Sequence, residues 1–308
     1  MKKLFSKNIN QKSWEHIFQS IYAFESIIKT IFERHSLPFS KIENLMPGTN
    51  AVFKVGDKVI KIFAPAESGF YPLDYFNIEI EAQKHVNDCG VVSPSLLFYG
   101  AVEDKYLFRY IIMDFIKGQE AGKGLAELNN TQKYDFGVQM KNITNKINIS
   151  IKSKAIPMLS QESCLANNSK WKDFAKNICD ERAAVIRGIS FETPVYVHGD
   201  LTAENVIIRE DGAICLIDFA DSLLAPYYYE WMPVVFDLFK CDAVMMAAYF
   251  GDYLNEDFYE LLTRSVLIHE FGGHCVKGLC EARGVEVGVL SNVSLLKRFL
   301  VDCLIDGK

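Results

Sequence analysis

Apolar positions fall into helical and strand periods that alternate along the chain. From 13 to 34, Trp14, Ile17, Phe18, Ile21, Tyr22, Phe24, Ile28 and Ile31 recur at helical spacing, which predicts one amphipathic helix stopped by His35–Pro38. A β-rich stretch follows. Ile42 to Met46 leads through Pro47-Gly48-Thr49-Asn50 to an alternating run at 51–55, a Gly56-Asp57 turn and a return strand at 58–63. After a loop over 65–75, residues 76–87 read as a helix closed by Cys89-Gly90. Strands are expected from Val91 to Tyr99 and over 106–115. Glycines 118, 122 and 124 interrupt the pattern. Helices are expected over 125–150, 171–186 and 230–240, with an irregular stretch at 151–168 and a helical end from 242 to 308.

The densest pattern is VYVHGDLTAENVIIREDGAICLIDFAD, residues 195–221. A short apolar strand runs into His198-Gly199-Asp200, and Asn205 comes five positions after Asp200. Val206 to Ile208 and Ile214 to Ile217 flank Asp211-Gly212, a good tight-turn pair, so a hairpin brings Asn205 and Asp218 to neighbouring strand ends near Asp200. A carboxylate, an amide and a second carboxylate at one rim suit Mg²⁺ and proton abstraction from a hydroxyl, because Mg²⁺ takes a few carboxylate or amide oxygens together with phosphate. Any one of these residues alone is as readily a turn residue.

This order and offset resemble the aminoglycoside phosphotransferase family, with its choline-kinase-like relatives, through His198-Gly199-Asp200, Asn205 and Asp218-Phe219-Ala220. The resemblance covers roughly 40 to 245 and implies an α+β, bilobal protein kinase-like fold, with a small antiparallel β-sheet N-lobe and a mostly helical C-lobe. It implies a phosphotransferase moving the γ-phosphate of ATP or GTP, with Mg²⁺, to a hydroxyl of a small molecule such as an aminoglycoside. Asp200 then becomes the catalytic base, and Asn205 and Asp218 become metal ligands. Gly48, Asn50 and Lys61 take the places that approach nucleotide phosphates. Glu79 or Glu81 pairs with Lys61, and Glu79 is preferred because it precedes apolar helix positions matched by Ala82 and Val86. Met113 to Gly118, with Met113 and Phe115, takes the place of the hinge that meets the base. His198 supports the loop, Asp221 adds a nearby carboxylate or a surface group, and Asp237 faces the cleft or the solvent. Where the family often has a histidine, this chain has Asn145. The domains expected are an N-terminal helix (1–36), a nucleotide-binding N-lobe (37–117) and a catalytic, substrate-binding C-lobe (118–308).

Composition narrows the partners. The 308 residues carry a net charge of −6, with 49% hydrophobic residues, as in an ordinary globular protein. Residues 1–189 hold 25 Lys+Arg against 20 Asp+Glu, whereas 190–308 hold 8 against 19. This split argues against nucleic acid and suits an anionic nucleotide at one lobe and a cationic acceptor at the other. It is equally what a solvated acidic surface gives. No apolar run nears the roughly 20 residues of a membrane span, and the start lacks a leader's apolar region. Eight cysteines without a CxxC pair read as reduced thiols and point to the cytoplasm. No feature fixes an oligomeric state.

Two other classes remain in view. One is a nucleotide-binding pseudokinase or regulatory module without transfer activity. The other is a metalloprotein centred on 269–280, where His269 and His274 are five apart across Gly272-Gly273 and do not have the four-residue helical spacing of a zinc protease.

Overall fold

The computed structural model describes residues 4–45, 48–70, 74–167 and 169–306. The readings at Met46, Pro47 and 71–73, and at the two chain ends, lie outside the described residues. The fold is α+β, bilobal and protein kinase-like. A five-stranded antiparallel sheet forms one lobe: β1 (Ile42–Asn44), β2 (Ala51–Val55), β3 (Lys58–Ile62), β4 (Leu96–Glu103) and β5 (Leu107–Asp114), in the order β1-β2-β3-β5-β4. Inward positions of β2 and β3 alternate with those of β5 over one core, and Lys61 pairs in register with Val52 and Ile111.

One helix was expected at the N-terminus, and there are two: α1 (Gln11–Ile17) and α2 (Ile21–Arg34). Each has its own cap. Asn10 and Ser13 form a reciprocal capping box for α1, and the Ser20 hydroxyl accepts from the Ala23 N–H of α2. The break re-phases the apolar face, so Phe24, Ile27, Ile28 and Ile31 are buried whereas Tyr22 is 81% exposed. The buried face packs on the sheet: Phe24 meets Phe53 and Phe108, with ring centroids 5.7 and 5.9 Å away.

Helix α3 (Tyr75–Asp88) lies between the lobes, with Asp74 as its cap. It buries Ile78, Ala82 and Val86 and, unusually, Glu79 and Gln83. The Gln83 amide donates to the Pro94 carbonyl at 2.6 Å.

The larger lobe holds two small sheets. In one, β6 (Gly118–Glu120), β8 (Val206–Arg209) and β9 (Ile214–Leu216) stand in sequence, and in the other β7 (Val195–Val197) pairs with β10 (Leu223–Ala225). Around them pack α4 (Asn130–Ile147), α5 (Gln161–Ala166), α6 (Lys176–Arg187), α7 (Ala243–Phe250), α8 (Glu256–Ile268), α9 (Gly272–Ala282) and α10 (Val293–Asp306). The expected irregular stretch thus contains α5, which is held by a Ser160–Ser163 capping box. The helix expected from 171 begins at Lys176, after a separate 3₁₀ turn at Ser169–Trp171. Residues 227–238 coil as a 3₁₀ turn, one α turn and a π turn, which carries Glu230 inward. Among the described residues, no helix is long and apolar enough to cross a membrane.

Phe24 is fully buried at the junction of helix and sheet. Phe24→Ala is expected to cost about 3–5 kcal/mol in denaturant unfolding. Tyr22→Ala, two positions away and exposed, should lie within about 0.5 kcal/mol of the wild type.

Candidate active site

The loop after β7 is fixed by its backbone. Gly199 sits at φ +84°, and a Cβ there would lie 2.1 Å from the Asp221 carbonyl oxygen, so only glycine fits. The buried Glu230 carboxylate accepts the His198 N–H at 2.6 Å and the Gly199 N–H at 3.1 Å. His269 Nε2 meets the Gly199 carbonyl at 3.0 Å, and His198 Nε2 meets the Ile217 carbonyl at 3.1 Å. In both rings that nitrogen must carry the proton, because a carbonyl can only accept. The Nδ1 atoms accept from the Asp200 and Phe271 N–H groups. Burial pushes His198 down to about 4 and His269 to about 3, so both are neutral struts.

The hairpin sets the rest. Gly212, at φ +77°, closes the β8–β9 turn, Val206 faces Leu216, and the Ile217 N–H donates to the Asn205 carbonyl at 3.0 Å. Asn205 and Asp218 therefore leave adjacent strand ends. Asn205 Nδ2 donates to the Asp200 carboxylate and to the Asp200 carbonyl, both at 2.8 Å, which leaves its Oδ1 as an acceptor toward the cavity. Asp218 adopts φ +60°, a left-handed conformation uncommon for a residue with a Cβ, and its side chain stays 43% exposed. Lys61 Nζ reaches Asp218 at 2.6 Å and Glu79 at 2.8 Å. Burial opposes the ammonium, but the two carboxylates outweigh it and hold Lys61 above its ordinary value. Burial likewise opposes ionisation of Asp218, and the Lys61 charge and hydrogen bond overcome it, so its value falls. Asp200, buried beside Asp218, is pushed up to about 6. Asp221 is pushed up to about 7 by burial and by the charges of Asp218, Asp200 and Glu270.

These groups meet at one end of a cavity of about 750 Å³ between the lobes. Val52, Val59, Met113, Ile207 and Ile217 give it apolar walls, and Lys61, Asn205 and Asp218 form its polar end. Of the two α3 carboxylates, Glu79 reaches Lys61, whereas Glu81 accepts from the Ser153 hydroxyl. Gly48 lines the cavity, and a Cβ there would meet nothing within 4 Å, so sterics do not demand glycine. Asn50 also lines it, but its Oδ1 is taken by the Ala64 N–H at 3.1 Å. The Phe115 N–H is spent on the Asp57 carbonyl at 3.0 Å, so that group is committed within the protein, although Phe115 borders the cavity. Asp237 is exposed and accepts the Ala203 N–H at 2.7 Å, beside a second cavity that Asp200 also lines. Asn145 is exposed on α4.

Two residues essential to the loop were not singled out from the sequence. Glu230 shows one signal, a lone carboxylate inside the aromatic run YYYEWMPVV. His269 was weighed only as part of a metal motif, and its ring serves Gly199, 70 residues away.

The fold and this cleft together define a protein kinase-like architecture. Residues 161–262, the third of the chain that carries Asp200, Asn205 and Asp218, match APH, the phosphotransferase enzyme family. No curated protein matches the chain. Among solved structures, it resembles the GDP complex of aminoglycoside 2'-phosphotransferase-IIIa, at 18% identity and a TM-score of 0.63, over 94% of this chain and 98% of that one. It also resembles ADP-bound aminoglycoside phosphotransferase APH(2'')-Ib, at 16% identity and a TM-score of 0.58, over 90% and 98%. A third is the streptomycin–ATP complex of APH(2")-IIa, at 14% and 0.58, over 87% and 96%.

Asp221, with its raised value, favours the folded protein when protonated. Its contribution is complete below the ordinary aspartate range and is lost as pH rises through about 7. Asp221→Asn should flatten the fall in stability of the nucleotide-free protein between about pH 4 and pH 7. It should also leave the variant more stable than wild type at pH 8, as read from denaturant midpoints.

Proposed function

We propose that the protein is a small-molecule kinase. It moves the γ-phosphoryl group of ATP or GTP to a hydroxyl of an aminoglycoside or a similar compound carrying amino and hydroxyl groups. The observation that carries this reading is the convergence of Asp200, Asn205, Asp218 and the Lys61–Glu79 pair around one end of a nucleotide-sized cavity. The family match and the nucleotide-bound structural neighbours support it. On this reading residues 37–117 hold the nucleotide, and the N-terminal helical segment 1–36 packs on that lobe. Residues 118–308 hold the acceptor and the catalytic loop, with the boundary at Lys117. The reduced thiols fit the cytoplasm.

The roles follow from the geometry. The base lies between the apolar walls near Met113 and Phe115, and Lys61 meets the phosphates. Asn205 Oδ1 and the Asp218 carboxylate are hard oxygen donors at the polar end and fit Mg²⁺. Asn205 and Asp218 would hold such an ion, whose chemistry there would be to offset phosphate charge. Asp200 keeps one carboxylate oxygen for the acceptor while Asn205 holds the other. The acceptor oxygen bonds to the γ-phosphorus as the bridging P–O bond breaks. Its proton passes to Asp200, and the nucleoside diphosphate leaves.

Mg²⁺-dependent transfer from ATP and GTP to a panel of aminoglycosides, choline, sugars and amino acids tests this, with the phosphorylated product identified by mass. Asp200→Asn should lower transfer by about 10²–10⁴-fold while nucleotide affinity stays within a few-fold. Because Asp200 must be ionised to accept the proton, kcat/KM should fall about tenfold per pH unit below about 6 and level off above it. Nucleotide binding with no transfer to any acceptor would instead establish a regulatory nucleotide-binding protein.

A further inference from the structure

A second cavity, of about 450 Å³, opens on the far side of Asp200. Its walls are two helical faces. On one, Phe271, Cys275 and Leu279 stand four residues apart along α9, a helical stripe that packs partly against the core. On the other, Met232, Pro233 and Phe236 turn their side chains from the 231–238 coil. Asp200 lines this cavity and Asn205 lines the larger one, while Phe271 borders both. The catalytic carboxylate thus stands between a space suited to a nucleotide and a groove walled by hydrocarbon.

Polar groups in the groove are few. His269 has both ring nitrogens committed, to the Gly199 carbonyl and the Phe271 N–H, and it is neutral. One oxygen of Asp237 holds the Ala203 N–H. The other Asp237 oxygen and the Thr202 hydroxyl are what remain beside Asp200. Such a lining pairs one ammonium and leaves further ones unpaired against apolar walls, which disfavours a polycation. We propose that this groove is the acceptor site, and that its preferred acceptor is an amphiphilic amino alcohol. The hydroxyl lies at Asp200, at most one amine lies at Asp237, and an apolar body lies between α9 and the 231–238 coil. The proposal rests on the kinase reading and specifies its substrate class.

Gly278 supplies the test. It is exposed on α9, and a Cβ built there meets no atom within 4 Å, so a large side chain can enter over the groove without displacing the core. Replacing a mid-helix glycine also favours the helix. Acceptor kinetics and equilibrium binding are measured on the nucleotide-loaded full chain, with phenylalaninol, its homologues one and two methylenes longer, and kanamycin. KM and Kd should fall about three- to fourfold per added methylene, and kcat/KM for the longest homologue should exceed that for kanamycin. Gly278→Trp should raise KM and Kd for the homologues at least tenfold with nucleotide affinity unchanged, and Gly278→Ala, which adds one methyl in open space, should shift them far less. A flat response to chain length, a higher kcat/KM for kanamycin, or unaltered acceptor binding in Gly278→Trp would overturn the assignment. Failure of the wild type to bind ATP or GTP would overturn the kinase reading instead, and amino-alcohol binding by the two Gly278 variants would still decide the groove.

Discussion

A single buried ammonium holds the two lobes in relation to each other. Lys61 is 4% exposed among the buried residues of β3 and finds its partners on α3 and on the far lobe, the latter 157 residues away. A charge in that position is expensive unless it is paired, and removing one partner of such a pair typically costs about 3–5 kcal/mol. The sheet, α3 and the end of β9 must therefore meet at one point, or leave an uncompensated charge in the core. Glu79 is buried on the inward face of α3 for that reason, and the Phe219 backbone adds a hydrogen bond to the same carboxylate. Apolar residues of similar volume would hold the lobes together as well or better. What the ion pairs add is a cation at the floor of a cavity, where a phosphate can exchange with a carboxylate as its partner.

The catalytic loop is built on the opposite principle. Two of its struts are imidazoles stripped of charge by burial, and the third is the Glu230 carboxyl, pushed up to about 7 by burial, which accepts from two consecutive N–H groups. Gly199 passes so close to the Asp221 carbonyl that no side chain fits between the two loops. Asp200 is thereby aimed by backbone, while its value near 6 reflects burial beside Asp218. The cavity end holds Asp218 and Asp221 against Lys61, and Asp200 stands beside it. A polyphosphate would meet net repulsion there unless a divalent cation accompanied it. This charge balance is an argument for the ion independent of any motif.

Much of the site was legible from the chain because its geometry is local. A two-residue turn fixes the register of β8 and β9, and that register places Asn205 beside Asp218. Lys61 and Glu79 were reached through the family resemblance, since the strand alone reads equally as a hairpin with an exposed lysine. What escaped was long-range or re-phased. The break at 18–20 has no proline or glycine to announce it, and periodicity carried straight through it to Tyr22. Glu230 and His269 act 31 and 70 residues from Gly199, and no spacing rule links them. The roles read into Gly48, Asn50 and Phe115 came from position in a pattern. The Asn50 Oδ1 and the Phe115 N–H are engaged in local bonds to Ala64 and Asp57 that a pattern does not contain.

The charge asymmetry of the sequence also changes meaning once its residues have places. An excess of acid after residue 190 suited a cationic acceptor. Yet Glu204, Asp218, Asp221 and Glu270 border the larger cavity, where they would set the potential for the proposed nucleotide and metal. The groove beyond Asp200 keeps one partly committed carboxylate and walls of hydrocarbon. Charge summed over a lobe therefore describes the larger cavity more than the groove beyond Asp200. On the proposed reading, acceptor choice would be governed instead by which helical faces meet next to Asp200. Here those faces are apolar, and transfer of hydrocarbon from water into such a groove scales with the area buried. Binding energy on that side would grow with the size of an apolar body, and the carboxylates would serve to orient it.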